Sequence, residues 1–448
     1  MLKRLHDRLG DFWWYSLMLF IACRAADLLN AFVGLWLVPK YVDPSELGAV
    51  MPLTQFANFL AIPIAAFANT FRNELTRLSI GKEFGKLKTL MRGVFVATAI
   101  FLFLAIVVAR FTLPAFLERI RIVEGSLGIV IIAASFVGAV APIYTNALQA
   151  LKKFKAQSII NIVGAPVRLL AMLVAMPFRA LTGFFVGQAA TPAFTMAASV
   201  ISLRKEFSAK AEPYWTHETF KKFSALLAIF LASGIVGGIN GLVESTIIRQ
   251  RLPDLDSAGY YMATRFSEIA TYLSATLSFT IFPFAANAAA SGRDIRPMIL
   301  KASAASIIFC LIVATPFIFF GQTILSVLPH GDKYAAYWWA IPWIIGITAI
   351  SSVIGLYATA QISANNFEYL KWYLPLDIAY PVCLLLITGH GNFSGFIPAT
   401  WTDFLTEHNI YSLSTMLWWM TCNNALKTTA CLISMRNDGN YNKTTTPK

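Results

Sequence analysis

Twelve stretches of roughly twenty or more mostly apolar residues recur along this 448-residue chain. They lie near 13–38, 48–71, 93–117, 127–148, 156–178, 181–203, 224–248, 259–284, 302–327, 335–360, 370–388 and 412–434. About 20 such residues cross the hydrocarbon core of a bilayer as one helix, and a helix satisfies its own backbone there. Apolar residues make up 57% of the chain and charged residues 13%, against about 45–50% and about 25% in soluble proteins. So little polar surface cannot face water on all sides. The expectation is an all-α polytopic membrane protein of about twelve transmembrane helices; disorder and a disulfide scaffold fail on the same composition.

Lys and Arg stay preferentially on the cytoplasmic side of a membrane. With the N-terminus inside, the inner segments carry 25 of the 36 basic residues, the outer segments 8, and Arg24, Arg168 and Arg265 fall within spans. This asymmetry places both termini in the cytoplasm, in an inner membrane. The net charge of +13 then reports topology and contact with anionic membrane lipids, with no need for nucleic acid. The basic start, Met1 to Arg8, resembles a signal n-region, but a long apolar stretch without a small-residue cleavage site follows it, which suggests an uncleaved first span.

Five cysteines, far apart and without a C-x-x-C, suggest small buried hydrophobes. The five histidines fall in tails or connections, so no metal site and no cofactor is expected. Nucleophile elbow, P-loop and H-E-x-x-H are absent from the sequence. Asn392-Phe-Ser394 is a glycosylation sequon on the expected outer side. Gly234, Gly237, Gly238 and Gly241 in span seven suit close packing, or else a bend.

Sliding the chain by 211 residues pairs Asp43 with Asp254, Gly48 with Gly259, Met51 with Met262, Phe71 with Phe282 and Gly81 with Gly292. Both copies run from an outer loop through a helix opening at Gly to a basic inner loop. The reading is two parallel six-helix bundles with a central cavity, spanning 1–203 and 223–434. A polar cytoplasmic linker at 204–222 joins them, and a disordered cytoplasmic tail occupies 435–448.

The run Asp254-Leu-Asp-Ser-Ala-Gly-Tyr-Tyr-Met-Ala-Thr-Arg-Phe-Ser-Glu-Ile-Ala270, with Ile281-Phe-Pro-Phe-Ala285 beyond it, resembles the seventh-to-eighth helix region of polysaccharide and oligosaccharide-lipid flippases. Their superfamily also holds multidrug exporters and lipid II flippases. Tyr41-Val-Asp-Pro-Ser-Glu-Leu-Gly48 is similar to that family's loop after helix one. The resemblance in layout covers most of 10–385. It implies alternating access by a monomer that carries a lipid-linked oligosaccharide, with no bond broken. In lipid II flippases cavity arginines come from helices one, two and eight. Arg24 and Arg265 lie in the corresponding helices, whereas 48–71 contains no arginine and Arg72 sits at the inner boundary.

Charges within the spans are the sharpest functional signal. Each mid-span arginine costs roughly 3 kcal/mol to insert and persists only beside a partner or an aqueous cavity. Arg24 with Asp27, and Arg265 with Glu268, stand three apart on one helical face. They are either intrahelical ion pairs or guanidinium groups that grip phosphate, a task that suits their planar two-donor fork. Arg168, with no acid within one turn, is expected to contact substrate or else carbonyls freed near Pro166. Asp377, between Pro375 and Pro381, would partner an arginine of the other half or bind a proton. Asp27, Glu268 and Asp377 are therefore candidates for charge balance or for coupling to protons or sodium. Glu244, close to Arg249, reads as interfacial.

The leading expectation is a flippase for a polyprenyl-pyrophosphate-linked oligosaccharide, with Arg24, Arg168 and Arg265 holding phosphate. A cation-coupled multidrug exporter of the same fold is the alternative. A membrane-embedded polysaccharide polymerase or ligase ranks last, because 389–411 offers only His390, Asp403, Glu407 and His408.

Overall fold

The computed structural model describes residues 24–80, 83–122, 127–151, 153–207, 210–290, 293–363, 366–387 and 412–444. The first part of the first expected span, the 389–411 segment with its sequon, and the end of the tail lie outside the described residues. Among the described residues the chain is helical, without a strand. Twelve helices coincide with the twelve expected spans. The first, α1, runs over 24–41. It is followed by α2 (Val50–Ile80), α3 (Phe84–Arg119), α4 (Leu127–Ala150), α5 (Phe154–Ala175) and α6 (Ala180–Ser202). The second set is α7 (His217–Arg251), α8 (Asp254–Ala290), α9 (Arg296–Ser326), α10 (Ala340–Ser363), α11 (Leu370–Ile387) and α12 (Leu413–Thr444). Eight of them among the described residues are long and apolar enough to cross a membrane by length and composition alone.

The repeat is visible in the helix limits. Moved by 211 residues, α3 falls on 295–330, α4 on 338–361 and α5 on 365–386, against the observed α9, α10 and α11. The end of α2 falls on 291, against Ala290 at the end of α8. The register breaks only at the last pair, where the shift places a helix at 391–413 and α12 opens at Leu413. Packing repeats as well. In the first half α4 lies against α2 and α6, and α5 against α6; in the second, α10 lies against α8 and α12, and α11 against α12.

Two compact units result, and they differ from the boundaries read in the sequence. One comprises Met1–Val33 and Ala49–Leu242, the other Gly34–Gly48 and Val243–Lys448. The expected linker and most of α7 thus belong to the N-terminal unit. Aromatic packing explains this: Trp215 stands edge-on to Phe223 and Tyr214, and its ring covers Gly93 of α3. The Glu212 amide also donates to the Gly85 carbonyl at 3.2 Å. The tail needs a second correction, because α12 continues to Thr444 where disorder was expected from 435. Buried Met435 anchors this extension in a cluster with Ile281, Leu356, Tyr357 and Cys431.

Inside α1, Val33–Leu37 forms a π-helical turn. Such wide turns are rare and gather at functional sites. Here the turn presents the Gly34 carbonyl to the Tyr261 hydroxyl, which donates to it at 3.2 Å.

The α7 glycines pack rather than bend the helix. A methyl group at Gly238 would come within 2.4 Å of Ile62 on α2, whereas one at Gly237 would meet nothing within 4 Å. The closest approach to main chain in this unit is at Gly183 of α6, where a methyl group would lie 2.4 Å from the Met176 nitrogen. Gly183→Ala is therefore expected to lower stability by about 1–3 kcal/mol through overpacking, and Gly237→Ala to leave it unchanged. Thermal unfolding of the two detergent-purified variants distinguishes them.

Candidate functional site

The mid-span charges fall into one cluster in each unit. In the N-terminal unit, Arg24, Asp27 and Asn30 follow one another at three-residue spacing and share a face of α1. The Arg24 guanidinium pairs with the Asp27 carboxylate at 3.1 Å, with side chains 26% and 25% exposed. Arg168 reaches across from α5, and its Nη1 donates to Asn30 Oδ1 at 2.8 Å. The sequence offered Arg168 either substrate or the carbonyls near Pro166. The structure gives it Asn30 as one partner, and the nearby Gly164 carbonyl accepts the Thr191 hydroxyl at 2.9 Å. Asn30 was legible only as a polar residue one turn beyond Asp27; its partner, 138 residues away, was not.

In the C-terminal unit, Arg265 of α8 forms the intrahelical pair expected with Glu268, at 2.7 Å, and its guanidinium stacks over the Tyr261 ring at 4.9 Å. Its stem packs on the π turn, which needs glycine there, because a methyl group at Gly34 would lie 3.0 Å from Arg265 Cδ. Arg265 is mostly buried whereas Glu268 is 41% exposed, so the carboxylate is the accessible end of the pair.

A second group in this unit involves two more acids singled out in the sequence. Asp377, expected to meet an arginine or a proton, is 2% exposed and pairs with the ammonium of Lys427 on α12. Lys427, which falls within the last expected span, is buried, over the rings of Tyr373 at 5.7 Å and Tyr380 at 5.9 Å. Arg249 is buried and donates to Asp254 at 2.8 Å. Glu244 accepts the hydroxyl of Tyr260 on Oε1 at 3.0 Å and that of Tyr380 on Oε2 at 2.8 Å. Three acids and two bases therefore lie mid-span in this unit, against one acid and two bases in the other.

Arg296, bonded to Asp294 before α9, holds that carboxyl below its ordinary range. Among the described residues no group of His, Cys, Asp and Glu has the arrangement of a metal site.

No family model and no curated protein matches the sequence. Solved structures match it in fold. An inward-facing multidrug resistance MATE family transporter of the MOP superfamily aligns with a TM-score of 0.69 at 12% identity, over 94% of this chain and 96% of that one. The lipid II flippase MurJ in an inward closed conformation aligns at 0.62 and 10% identity, over 94% and 87%. A MOP superfamily transporter from Pyrococcus furiosus, described by a binding pocket of reverse polarity, aligns at 0.63 and 11%, over 96% and 95%. The chain has the fold of these proteins.

The Arg168–Asn30 bond is testable by a double-mutant cycle. Hydrogen bonds to a charged group contribute about 1.5–3 kcal/mol. Arg168→Ala and Asn30→Ala together should therefore cost less than the sum of their separate effects on thermal stability. Strict additivity would show that the two side chains do not interact.

Proposed function

We propose that this protein is a flippase that carries a polyprenyl-pyrophosphate-linked oligosaccharide across the cytoplasmic membrane by alternating access, for surface polysaccharide assembly. The observation that carries this reading is the charge balance of the N-terminal unit. The expected spans of this unit hold two half-buried guanidinium groups, Arg24 and Arg168, and one carboxylate, Asp27, which pairs with Arg24. An excess positive charge at the depth of a bilayer is stabilised by an anion, and a pyrophosphate offers oxygens that match the two-donor fork of arginine. A charged sugar head cannot enter hydrocarbon unaided, so a protein that holds the phosphate while the lipid tail stays in the bilayer removes the main barrier. Arg265 of the C-terminal unit has the role of a further phosphate contact. The protein acts as a monomer with both termini cytoplasmic, and it makes and breaks no covalent bond.

A cation-coupled multidrug exporter is the second reading, favoured by the acids Glu244, Glu268 and Asp377 in the C-terminal unit. The two readings separate in proteoliposomes. Arg24→Ala, Arg168→Ala and Arg265→Ala should each slow translocation of a lipid-linked oligosaccharide about 10-fold or more, as the loss of one charge-assisted contact implies. Arg→Lys variants should recover part of the rate. Undiminished translocation in all three correctly inserted Ala variants would remove the phosphate grip, and efflux of a cationic dye that fails only when the acids are neutralised would favour the exporter.

A further inference from the structure

Between α6 and the apolar part of α7 the chain exposes two aromatic side chains in a polar stretch of sequence. Phe220, in the first turn of α7, is 60% exposed, and Trp215, just before that helix, is 38% exposed. The expected span opens only at 224. Their exposure is therefore not that of side chains facing lipid tails along a transmembrane helix. The two rings meet edge to face at 6.2 Å and form one patch. It is braced from behind within the N-terminal unit. Trp215 packs on Phe223 at 5.4 Å, and Phe223 on Phe67 of α2 at 5.3 Å. The linker follows α3 closely: a methyl group at Gly85 would lie 2.5 Å from the Lys210 carbonyl oxygen, and one at Gly93 3.2 Å from Trp215 Nε1.

Basic side chains flank the patch. Residues 83–92, which open α3, and 210–222 together hold six basic and three acidic residues. Lys86 is paired with Glu83, whereas Arg92, beside Gly93, and Lys221 and Lys222, beside Phe220, are exposed. The end of α7 does not supply this charge. Its amides are capped by side chains, Thr219 N–H donating to the Thr216 hydroxyl at 3.2 Å and Thr216 N–H to the Thr219 hydroxyl at 2.8 Å. Exposed rings beside long cationic side chains match the boundary of an anionic leaflet, with rings at the acyl level and cations at the phosphates.

We propose that Arg92, Trp215, Phe220, Lys221 and Lys222 form a binding site for an anionic phospholipid of the leaflet expected to be cytoplasmic. The lipid phosphate sits among the cations and the upper acyl chains lie against the two rings. The net charge of the whole chain implies only diffuse attraction to such lipids. Here the contact is localised, because the packing of the linker on α3 fixes the rings beside the charges. A lipid in this site ties α3, the linker and α7 together at one end of the N-terminal unit. The site does not depend on the cargo.

The test uses purified full-length protein in detergent, without cargo, and a tail-labelled phosphatidylglycerol as the probe. Unlabelled phosphatidylglycerol should displace the probe, phosphatidylcholine should not, and added salt should weaken binding. One basic side chain near an anionic lipid surface contributes a factor of about five in affinity. The triple variant Arg92→Gln, Lys221→Gln, Lys222→Gln should therefore bind about 100-fold more weakly. A control triple, Arg293→Gln, Lys301→Gln, Lys371→Gln, removes the same charge from exposed positions of the C-terminal unit and should leave binding unchanged. Phe220→Ser, which keeps every charge, should also weaken it. Should the first triple melt at a lower temperature without lipid, Arg92→Gln alone reads a single step of about fivefold. Equal losses in the two triples, displacement by phosphatidylcholine as readily as by phosphatidylglycerol, or full affinity in Phe220→Ser would each overturn the proposal.

Discussion

A bare charge at the depth of a bilayer is the most expensive thing this chain contains, and the arrangement of its helices answers that cost. Each mid-span arginine is engaged by a polar group of its own unit: Arg24 by Asp27, Arg168 by Asn30, Arg265 by Glu268 and the Tyr261 ring. The buried ammonium of Lys427 meets Asp377 in the same way. Three of these four contacts use a neighbour one turn away or a helix in direct contact, so they are made locally and do not depend on how the two units are placed. Removing one member of a buried pair strands its partner, which costs several kcal/mol, whereas the intact pair adds little to stability. Such pairs are therefore better explained by what they do than by what they stabilise.

Their partition by unit resolves an apparent conflict in the overall charge count. Taken together, the mid-span arginines of the sequence are matched by Asp27, Glu268 and Asp377, a balance that favours neither an anionic nor a cationic cargo. Sorted by unit, the balance disappears. The N-terminal cluster has an excess base, and the C-terminal unit, with Glu244 and Lys427 included, has an excess acid.

Much of this was legible in the sequence, because the signals were strong and local. Hydrocarbon thickness dictates span length, so apolar runs alone located all twelve helices to within several residues in most cases. The 211-residue shift, resting on a few identities, anticipated the limits of α9, α10 and α11. The i, i+3 pairs of α1 and α8 followed from helix geometry. What could not be read were contacts across dozens of residues: Asn30 to Arg168, Lys427 to Asp377, and Tyr380 to Glu244. The burial of Lys427 was hidden for a specific reason. A lysine near the end of a weakly apolar run looks like a retained loop charge, and only the packing of α12 on α11 reveals its burial. The linker misled in a similar way, since its polar composition hides two aromatics, Tyr214 and Trp215, that tie it to the N-terminal unit.

The duplication gives the charge pattern a further meaning. Arg168 moved by 211 residues falls at 379, two residues from Asp377 and so within about 3 Å of it along the helix axis. Equivalent helices thus carry a base at one depth in the first half and an acid near that depth in the second. Each reaches a polar partner on a different helix of its own unit, Asn30 on α1 and Lys427 on α12. The backbone pattern was kept while the ionisable residue changed sign. Packing alone does not demand that reversal, since an apolar side chain would fill either place at lower cost.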